Sequence, residues 1–344
     1  FEVKGIDYET VLIDNTGGGR PCWYSGSTPQ VRWSDGSMQG ESLDIVRTLD
    51  QLHPTPPLWS PPGVDPADVG RTIAAFKTTF PRTARPSSRA AFLFDYDGDP
   101  LPRATFEATL SKADSLLAQT GGSFLCGEHF SAADLAWAPF LERYAAQLPC
   151  LHQGLRPRGG QWEALSRWYD ALDQAVPEYA CRVKGDAQSY TKVLSMAGYG
   201  NSGAAPRVRL GEQDARAAFG TGDVPTATWT AFRSSRAQVV AATPAEEAAS
   251  RLIRNREAIV ADAVKRRACA GLPKADIDEA LRLVVLLLID KHDLDAVPSQ
   301  AAALAAYLAD RMCVPRDMGA PPAVELRRLV ELARPSLDAQ TAQQ

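Results

Sequence analysis

The sequence predicts an α+β protein, with a short β/α segment at the start and two longer helical regions after it. Apolar runs and turn signals alternate through residues 1–53. Apolar residues recur at helical spacing in residues 66–192 and again in residues 243–344. Residues 193–242, which include a stretch rich in Gly, Ala and Pro, separate the helical regions. We therefore expect an α/β domain, a helical domain, a linker and a helical extension with these boundaries.

The composition and charge are those of an ordinary globular protein. The 344 residues carry a formal net charge of −4, which gives no electrostatic footprint for nucleic acid or for an anionic membrane. No apolar run approaches the ~18 residues of a transmembrane helix, so we expect no membrane insertion. The six cysteines are scattered without a CxxC pair, which predicts neither a metal site nor a disulfide framework. Reduced thiols favour an intracellular, reducing compartment.

The β/α segment contains two candidate strands, a turn and a helix. Residues 8–13 form a β-rich apolar run, and residues 29–33 are a second strand candidate. A turn signal, Ser-Asp-Gly, follows at residues 34–36. Apolar residues fall at helical spacing in residues 41–52, where we expect a helix.

Proline-rich and polar segments bound the helical regions. Residues 54–65 are a proline-rich connector, and the helical pattern of residues 66–185 is interrupted at 82–88 and 95–100. The extension opens at residues 243–246 with a capping box and a proline at the first helical position. Its helices are predicted over residues 244–268, 274–291, 299–312 and 321–333.

The stretch STPQVRWSDGSMQGES, residues 27–42, combines a proline in a strand with a carboxylate and a hydroxyl at a helix start. Proline is tolerated at strand edges, and a cis bond to Pro29 would let the backbone of Thr28 face a peptide-like ligand. A helix N-terminus attracts carboxylates, and Ser42 adds a hydroxyl donor while Glu41 can accept from an ammonium group. Together they would hold an amino-acid head group. The alternative is that Pro29 ends an edge strand and that Glu41 and Ser42 only cap the helix.

A second motif, residues 124–144, predicts a buried and capped helix. Ser131 is the expected N-cap, and Asp134 at the third helical position completes a capping box. Phe130 and Leu135 are spaced as a hydrophobic staple. Because a buried carboxylate needs hydrogen-bond donors around it, we expect Asp134 to serve folding rather than chemistry.

These motifs resemble those of the glutathione transferase superfamily. The 28–36 stretch with Glu41-Ser42 is similar to its thioredoxin-like half, and FSAADLAWAPFLER, residues 130–143, is similar to its all-helical half. GRPCWY, residues 19–24, resembles a segment of the omega and dehydroascorbate reductase groups. The resemblance covers residues 1–185. It implies a thioredoxin-like βαβ–ββα domain, an all-α C-terminal domain, and an additional helical region beyond them.

The resemblance also implies roles for individual residues. Glu41 and Ser42 would hold the γ-glutamyl head group of glutathione, and the Thr28 backbone would pair with its cysteinyl part. Arg20 stands near the place of the glycine carboxylate. Glutathione is then the expected co-substrate, with an unknown second substrate, and the activity would be that of a transferase or thiol reductase. Members of the family are commonly dimers.

The first residues depart from the family pattern. Residues 1–5 resemble the end of the family's first helix, so we expect the thioredoxin-like domain to be incomplete and its nucleophile to lie upstream of Phe1. Cys22 lies near Arg20, a neighbour that could lower a thiol pKa, but Cys22 occupies a variable loop position of the family. The catalytic residue is therefore not assigned.

The helical extension exceeds the usual length of the family. Arginines and lysines cluster within residues 251–267, as a solvated helix face or as a surface for an acidic partner. The alternative function is a non-catalytic scaffold, or a subunit of a larger assembly, that binds partner proteins through the extension. Extensions of a similar kind occur in plastid members of the family, which implies a chloroplast location.

Overall fold

The computed structural model of the chain describes residues 1–11, 13, 21–26, 28–81, 93–95, 99–190, 192, 222–290 and 297–333. Short 3₁₀ turns at Glu2–Lys4 and Cys269–Gly271 and a π-helix at Tyr179–Val183 accompany the regular elements. The strands are β1 (Val31–Arg32) and β2 (Met38–Gln39). The helices are α1 (Ser42–Leu52), α2 (Pro66–Thr79), α3 (Arg103–Thr120), α4 (Ala132–Leu151), α5 (Glu163–Ala175), α6 (Thr226–Ser234), α7 (Pro244–Arg254), α8 (Arg256–Lys265), α9 (Lys274–Ile289), α10 (Ser299–Arg311) and α11 (Ala320–Leu332). None of these described helices is long and apolar enough to cross a lipid bilayer.

The N-terminal segment holds a two-stranded antiparallel hairpin, β1–β2, followed by α1. Val31 lies opposite Gln39. The predicted turn is present: Gly36 has a positive φ of 86°, and the carboxylate of Asp35 accepts from the backbone N–H of Ser37 at 2.8 Å. The chain is therefore α+β, with its only described sheet in this hairpin.

The predicted strand at residues 8–13 is wrong for the residues that the structure describes there. Residues 7–11 and 13 have no regular secondary structure. Tyr8 and Val11 are 41% and 54% exposed, so their apolar side chains are not covered as in a packed sheet. A strand requires a hydrogen-bonded neighbour, and no described segment pairs with this one.

Helices α2 to α5 form the helical half around one hydrophobic core. α2 packs against α4, and α3 packs against α5. Trp137, Trp168, Tyr144 and Phe106 are at most 1% exposed within this core. The proline-rich connector joins it through Leu58, which is buried and accepts from the backbone N–H of Ala132 at 2.8 Å.

Helices α7 to α11 form a second core of their own in the extension. The predictions for α9, α10 and α11 are confirmed to within a few residues. The single helix predicted over residues 244–268 is wrong, because the helix breaks at Asn255. The side-chain amide of Asn255 donates to the carbonyl of Arg251 at 2.8 Å, a local bond that competes with helix continuation. Val264, which follows the break, is 42% exposed.

The region predicted as a linker contains α6, which the sequence analysis missed. Residues 193–221 of that region lie outside the described residues. α6 buries Trp229 and Phe232 in a small cluster with Cys181 and Val240. Two aromatic residues three positions apart were the available signal, but two positions do not establish a period.

Buried polar contacts join the extension to the end of the helical half. The backbone N–H of Val314 donates to the hydroxyl of Ser189 at 2.8 Å. The guanidinium of Arg327 lies 2.6 Å from the carboxylate of Asp186. These contacts join the extension to residues 186–189, which directly follow the residues 1–185 that the family resemblance covers.

Candidate functional site

Two hydrogen bonds hold the loop that leads into β1. The hydroxyls of Tyr24 and Thr28 lie 2.8 Å apart, and the backbone N–H of Ser25 donates to the side-chain oxygen of Gln30 at 3.2 Å. The Thr28–Pro29 peptide bond is cis, as the sequence analysis considered. Within the described part of the chain, the backbone N–H and C=O of Thr28 have no hydrogen-bond partner. Both groups are available to a ligand.

Gln39 fixes the hairpin to α1. Its side-chain oxygen accepts from the indole N–H of Trp33 at 3.0 Å, and its amide donates to the hydroxyl of Thr48 at 2.9 Å. The Val31–Gln39 pair is the end of the hairpin nearest to α1. Thr28 precedes β1 by three residues, and Glu41 and Ser42 follow β2 at the start of α1.

Glu41 is the N-cap of α1 and has an unusual backbone conformation. Its φ of 61° and ψ of 105° lie in a region that non-glycine residues rarely adopt. Its carbonyl accepts from the backbone N–H of Ile45 at 3.0 Å. Its side chain is exposed and makes no capping bond, and its carboxylate has no partner among the described residues. The side chain of Glu41 therefore does not serve as a helix cap, the role that the alternative interpretation gave it.

The first turn of α1 presents backbone N–H donors and one acidic side chain, that of Asp44. The first backbone N–H groups of an α-helix have no intrahelical acceptor and carry positive potential. Ser42, the first residue of α1, is exposed, and its hydroxyl makes no hydrogen bond within the described residues. A carboxylate at this helix start would lie beside the Glu41 side chain, which can accept from an ammonium group. The pair matches an amino-acid head group.

A buried ion pair, which the sequence analysis missed, supports the far end of α1. Nζ of Lys4 lies 2.5 Å from Oδ1 of Asp50, and the Asp50 carboxylate also accepts from the backbone N–H groups of Leu58 at 2.9 Å and Trp59 at 3.0 Å. Burial alone would raise the pKa of Asp50, but these hydrogen bonds outweigh it and lower that pKa. The available signal was an acidic residue between Leu49 and Leu52 on an amphipathic helix.

The other residues considered as site residues are Arg20 and the cysteines. Arg20 lies outside the described residues. Cys22 is exposed in the loop before β1. Burial raises the pKa of the Cys181 thiol to about 12 and also raises the pKa of Cys126 and Cys269. These three thiols therefore lack the lowered pKa of a cysteine nucleophile.

The capping motif of α4 is confirmed as a structural feature. The hydroxyl of Ser131 accepts from the backbone N–H of Ala133 at 3.2 Å, and Asp134 accepts from the backbone N–H of Ser131 at 2.9 Å. The fully buried Asp134 carboxylate also accepts from the N–H of Leu125 at 2.9 Å and from the Trp168 indole at 2.8 Å. Burial raises the pKa of Asp134, and these hydrogen bonds oppose the shift. The motif ties α4, α5 and the loop before α4 together.

Comparison with known proteins gives one family and several plant relatives. The family model of the glutathione S-transferase C-terminal domain matches residues 103–171, which span α3 to α5. A probable cytosolic glutathione S-transferase, DHAR1 of Oryza sativa subsp. japonica, is 30% identical over 146 residues, 41% of this chain and 61% of that protein. Glutathione S-transferase L3 of Arabidopsis thaliana is 27% identical over 188 residues, 50% of this chain and 70% of that protein.

A chloroplastic relative matches a smaller share of its own length. Glutathione S-transferase DHAR3 of Arabidopsis thaliana is 29% identical over 147 residues, 41% of this chain and 50% of that protein. The chain thus spans between half and about two thirds of the length of these relatives. No solved structure gives a significant match.

Proposed function

Since this chain belongs to the glutathione S-transferase superfamily, we propose that it binds glutathione at the start of α1. The observation that carries the proposal is the side chain of Glu41, which has no partner among the described residues and lies beside Ser42 at a helix N-terminus. In this arrangement the carboxylate of the γ-glutamyl group accepts hydrogen bonds from the Ser42 hydroxyl and from the first N–H groups of α1. The ammonium of the same γ-glutamyl group donates to the Glu41 carboxylate.

The peptide part of glutathione extends from this head-group site along the Thr28 backbone. Thr28 offers one N–H donor and one C=O acceptor without a partner in the described chain. A peptide ligand can use both at once, as in pairing with an added strand. Arg20 would receive the glycine carboxylate of the ligand.

The activity that follows from glutathione binding is that of a transferase or a glutathione-dependent thiol reductase. An oxidised or electrophilic second substrate would approach from the helical half. The names of the relatives include one cytosolic and one chloroplastic protein. For this chain we propose the chloroplast, and organelle fractionation tests that location.

Binding of reduced glutathione by isothermal titration calorimetry tests the proposal. Removing a charge-assisted hydrogen bond costs roughly 1.5–3 kcal/mol, so Glu41→Ala should weaken binding more than about tenfold. Ser42→Ala should weaken it less. Glu163→Ala is the matched control, because Glu163 is an exposed acidic residue that begins α5. Equal affinity in Glu41→Ala and in the control would refute the proposed site.

A second candidate function is that of a non-catalytic scaffold. The separate core of α7 to α11 supports it, since that core is a substantial packed unit beyond the family-like part. An activity assay with glutathione and a panel of electrophiles and disulfides distinguishes the enzyme from the scaffold. A chain that binds glutathione without turning over any of them would favour the scaffold.

A further inference from the structure

The 3₁₀ turn Glu2–Lys4 carries two buried charges of opposite sign. Glu2 is 8% exposed, and the side chain of Lys4 is 1% exposed. Gly5 ends the turn at a positive φ of 61° and donates from its backbone N–H to the carbonyl of Glu2 at 2.9 Å. Because an unpaired buried charge is costly, each of the two side chains needs a partner in a neighbouring part of the fold.

Lys4 finds its partners at the end of α1. Besides its ion pair with Asp50, the Lys4 ammonium donates to the carbonyls of His53 and Pro56. His53 is the C-cap of α1. The turn is therefore fastened to the helix whose other end carries the proposed glutathione site.

Glu2 finds its partner beyond the residues 1–185 that the family resemblance covers. Its carboxylate forms an ion pair with the guanidinium of Arg236, whose side chain is 8% exposed. The same carboxylate accepts from the hydroxyl of Tyr8 at 2.6 Å, and Nε of Arg182 lies 3.6 Å from it. Arg236 thus joins two parts of the chain that lie 234 positions apart.

The loop between α6 and α7 holds Arg236 in place. The carbonyl of Arg236 accepts from the backbone N–H groups of Val239 at 3.0 Å and Val240 at 2.9 Å. Val240 is buried in the same aromatic cluster as α6. The backbone N–H of Ala241 donates to the buried carboxylate of Glu247, on α7, at 3.1 Å. Arg236 therefore reaches the N-terminal segment from a packed part of the fold.

From these contacts we propose that Arg236 is a positioning residue for the glutathione site. Arg236 fixes Glu2, the short turn connects Glu2 to Lys4, and Lys4 fixes α1 through Asp50. Loss of the Arg236–Glu2 pair loosens α1 and lowers the glutathione affinity of the site at its other end. This inference rests on the proposed function, and it adds that a residue beyond the family-like part controls the site.

Calorimetric titration with reduced glutathione tests the effect on affinity. Arg236→Gln should weaken binding about threefold, a change typical of residues that act on a site through others. Arg158→Gln is the matched control, because Arg158 also forms a largely buried ion pair, with Asp173 at 2.6 Å. The described hydrogen bonds of Arg158 stay within the helical half, so its loss should leave glutathione affinity unchanged.

The same titration in the Lys4→Met background tests the route through the turn. If Arg236 acts on α1 through Lys4, Arg236→Gln should cause no further loss of affinity once Lys4 is replaced. Independent effects would give the same fold loss in both backgrounds, because they add in free energy. Arg236→Lys keeps the positive charge and is the milder variant. Its affinity should lie between those of wild type and Arg236→Gln.

Hydrogen exchange tests the proposal without glutathione. The amides of α1 should exchange faster in Arg236→Gln than in wild type, and Arg158→Gln should not change them. Unchanged exchange in α1 would overturn the proposal whether or not the chain binds glutathione.

The outcomes also separate this inference from the proposed function. If wild type binds glutathione and Arg236→Gln binds it equally well, or if the losses add in the Lys4→Met background, the positioning role is overturned while the binding site stands. If wild type does not bind glutathione, the proposed function fails, and hydrogen exchange in α1 alone decides whether Arg236 positions that helix.

Discussion

The side chain of Lys4, only 1% exposed, places its ammonium 2.5 Å from the carboxylate of Asp50 near the end of α1. The Lys4 ammonium also donates to the carbonyl of His53 at 2.6 Å. This ion pair joins the first turn of the chain to the helix whose other end carries Glu41 and Ser42. It therefore fixes the orientation of the proposed binding helix.

Replacing Lys4 should destabilise the protein. Lys4→Met leaves Asp50 as a largely buried anion with two backbone donors, and the lost charged hydrogen bond is worth roughly 1.5–3 kcal/mol. The free energy of unfolding in urea measures the effect. Lys77→Met, at an exposed lysine in the last turn of α2, is the control. Equal stability of both variants would contradict the role given to the pair.

The Asp50 carboxylate should make stability fall at low pH. Its pKa is lowered in the folded state, so its contribution is fully present above the unfolded pKa of about 3.9. The contribution is lost as pH falls through the lowered folded value. The stability difference between wild type and Asp50→Asn should therefore be constant near neutral pH and shrink below about pH 4. Asp44→Asn, at an exposed position of the same helix, should show no comparable change.

The positive φ of Glu41 predicts that glycine stabilises this position. A non-glycine residue held in such a region costs about 1–3 kcal/mol of folding free energy. Glycine avoids this strain, but it loses more conformational entropy on folding, which offsets part of the gain. Glu41→Gly should thus raise the midpoint of thermal unfolding above that of Glu41→Ala, while both lose glutathione affinity. If the alanine variant is as stable as the glycine variant, the backbone of Glu41 is not strained.

The Asp134 cluster should be the most sensitive polar feature of the helical half. Asp134→Ala leaves the buried N–H groups of Ser131, Leu125 and Trp168 without an acceptor, at about 1–3 kcal/mol for each. Ser131→Ala removes the hydroxyl cap and should cost about 1 kcal/mol. The free energy of unfolding in urea should therefore be highest for wild type, lower for Ser131→Ala and lowest for Asp134→Ala. The reverse order of the two variants would contradict the account of the motif.

Local chemistry explains which parts of the fold could be predicted from the sequence. The turn at Asp35-Gly36, the start of α1 and the cap at Ser131 each depend on a few neighbouring residues, so their patterns were sufficient. The break at Asn255 was missed because the apolar period continues across it. The Lys4–Asp50 pair was missed because its partners lie 46 positions apart, a distance that no local pattern encodes. At the candidate site, the position of Glu41 was predictable. Its positive φ, and the absence of a partner for its carboxylate among the described residues, were not.

The central claim is that Glu41 holds the γ-glutamyl ammonium group, and titration calorimetry with a truncated ligand tests it most directly. Wild type and Glu41→Gln would be titrated with glutathione and with cysteinylglycine, which lacks the γ-glutamyl group. We predict that Glu41→Gln weakens glutathione binding more than about tenfold and leaves the weaker cysteinylglycine binding unchanged. Equal affinity of wild type and Glu41→Gln for glutathione, or the absence of glutathione binding to wild type, would contradict the claim.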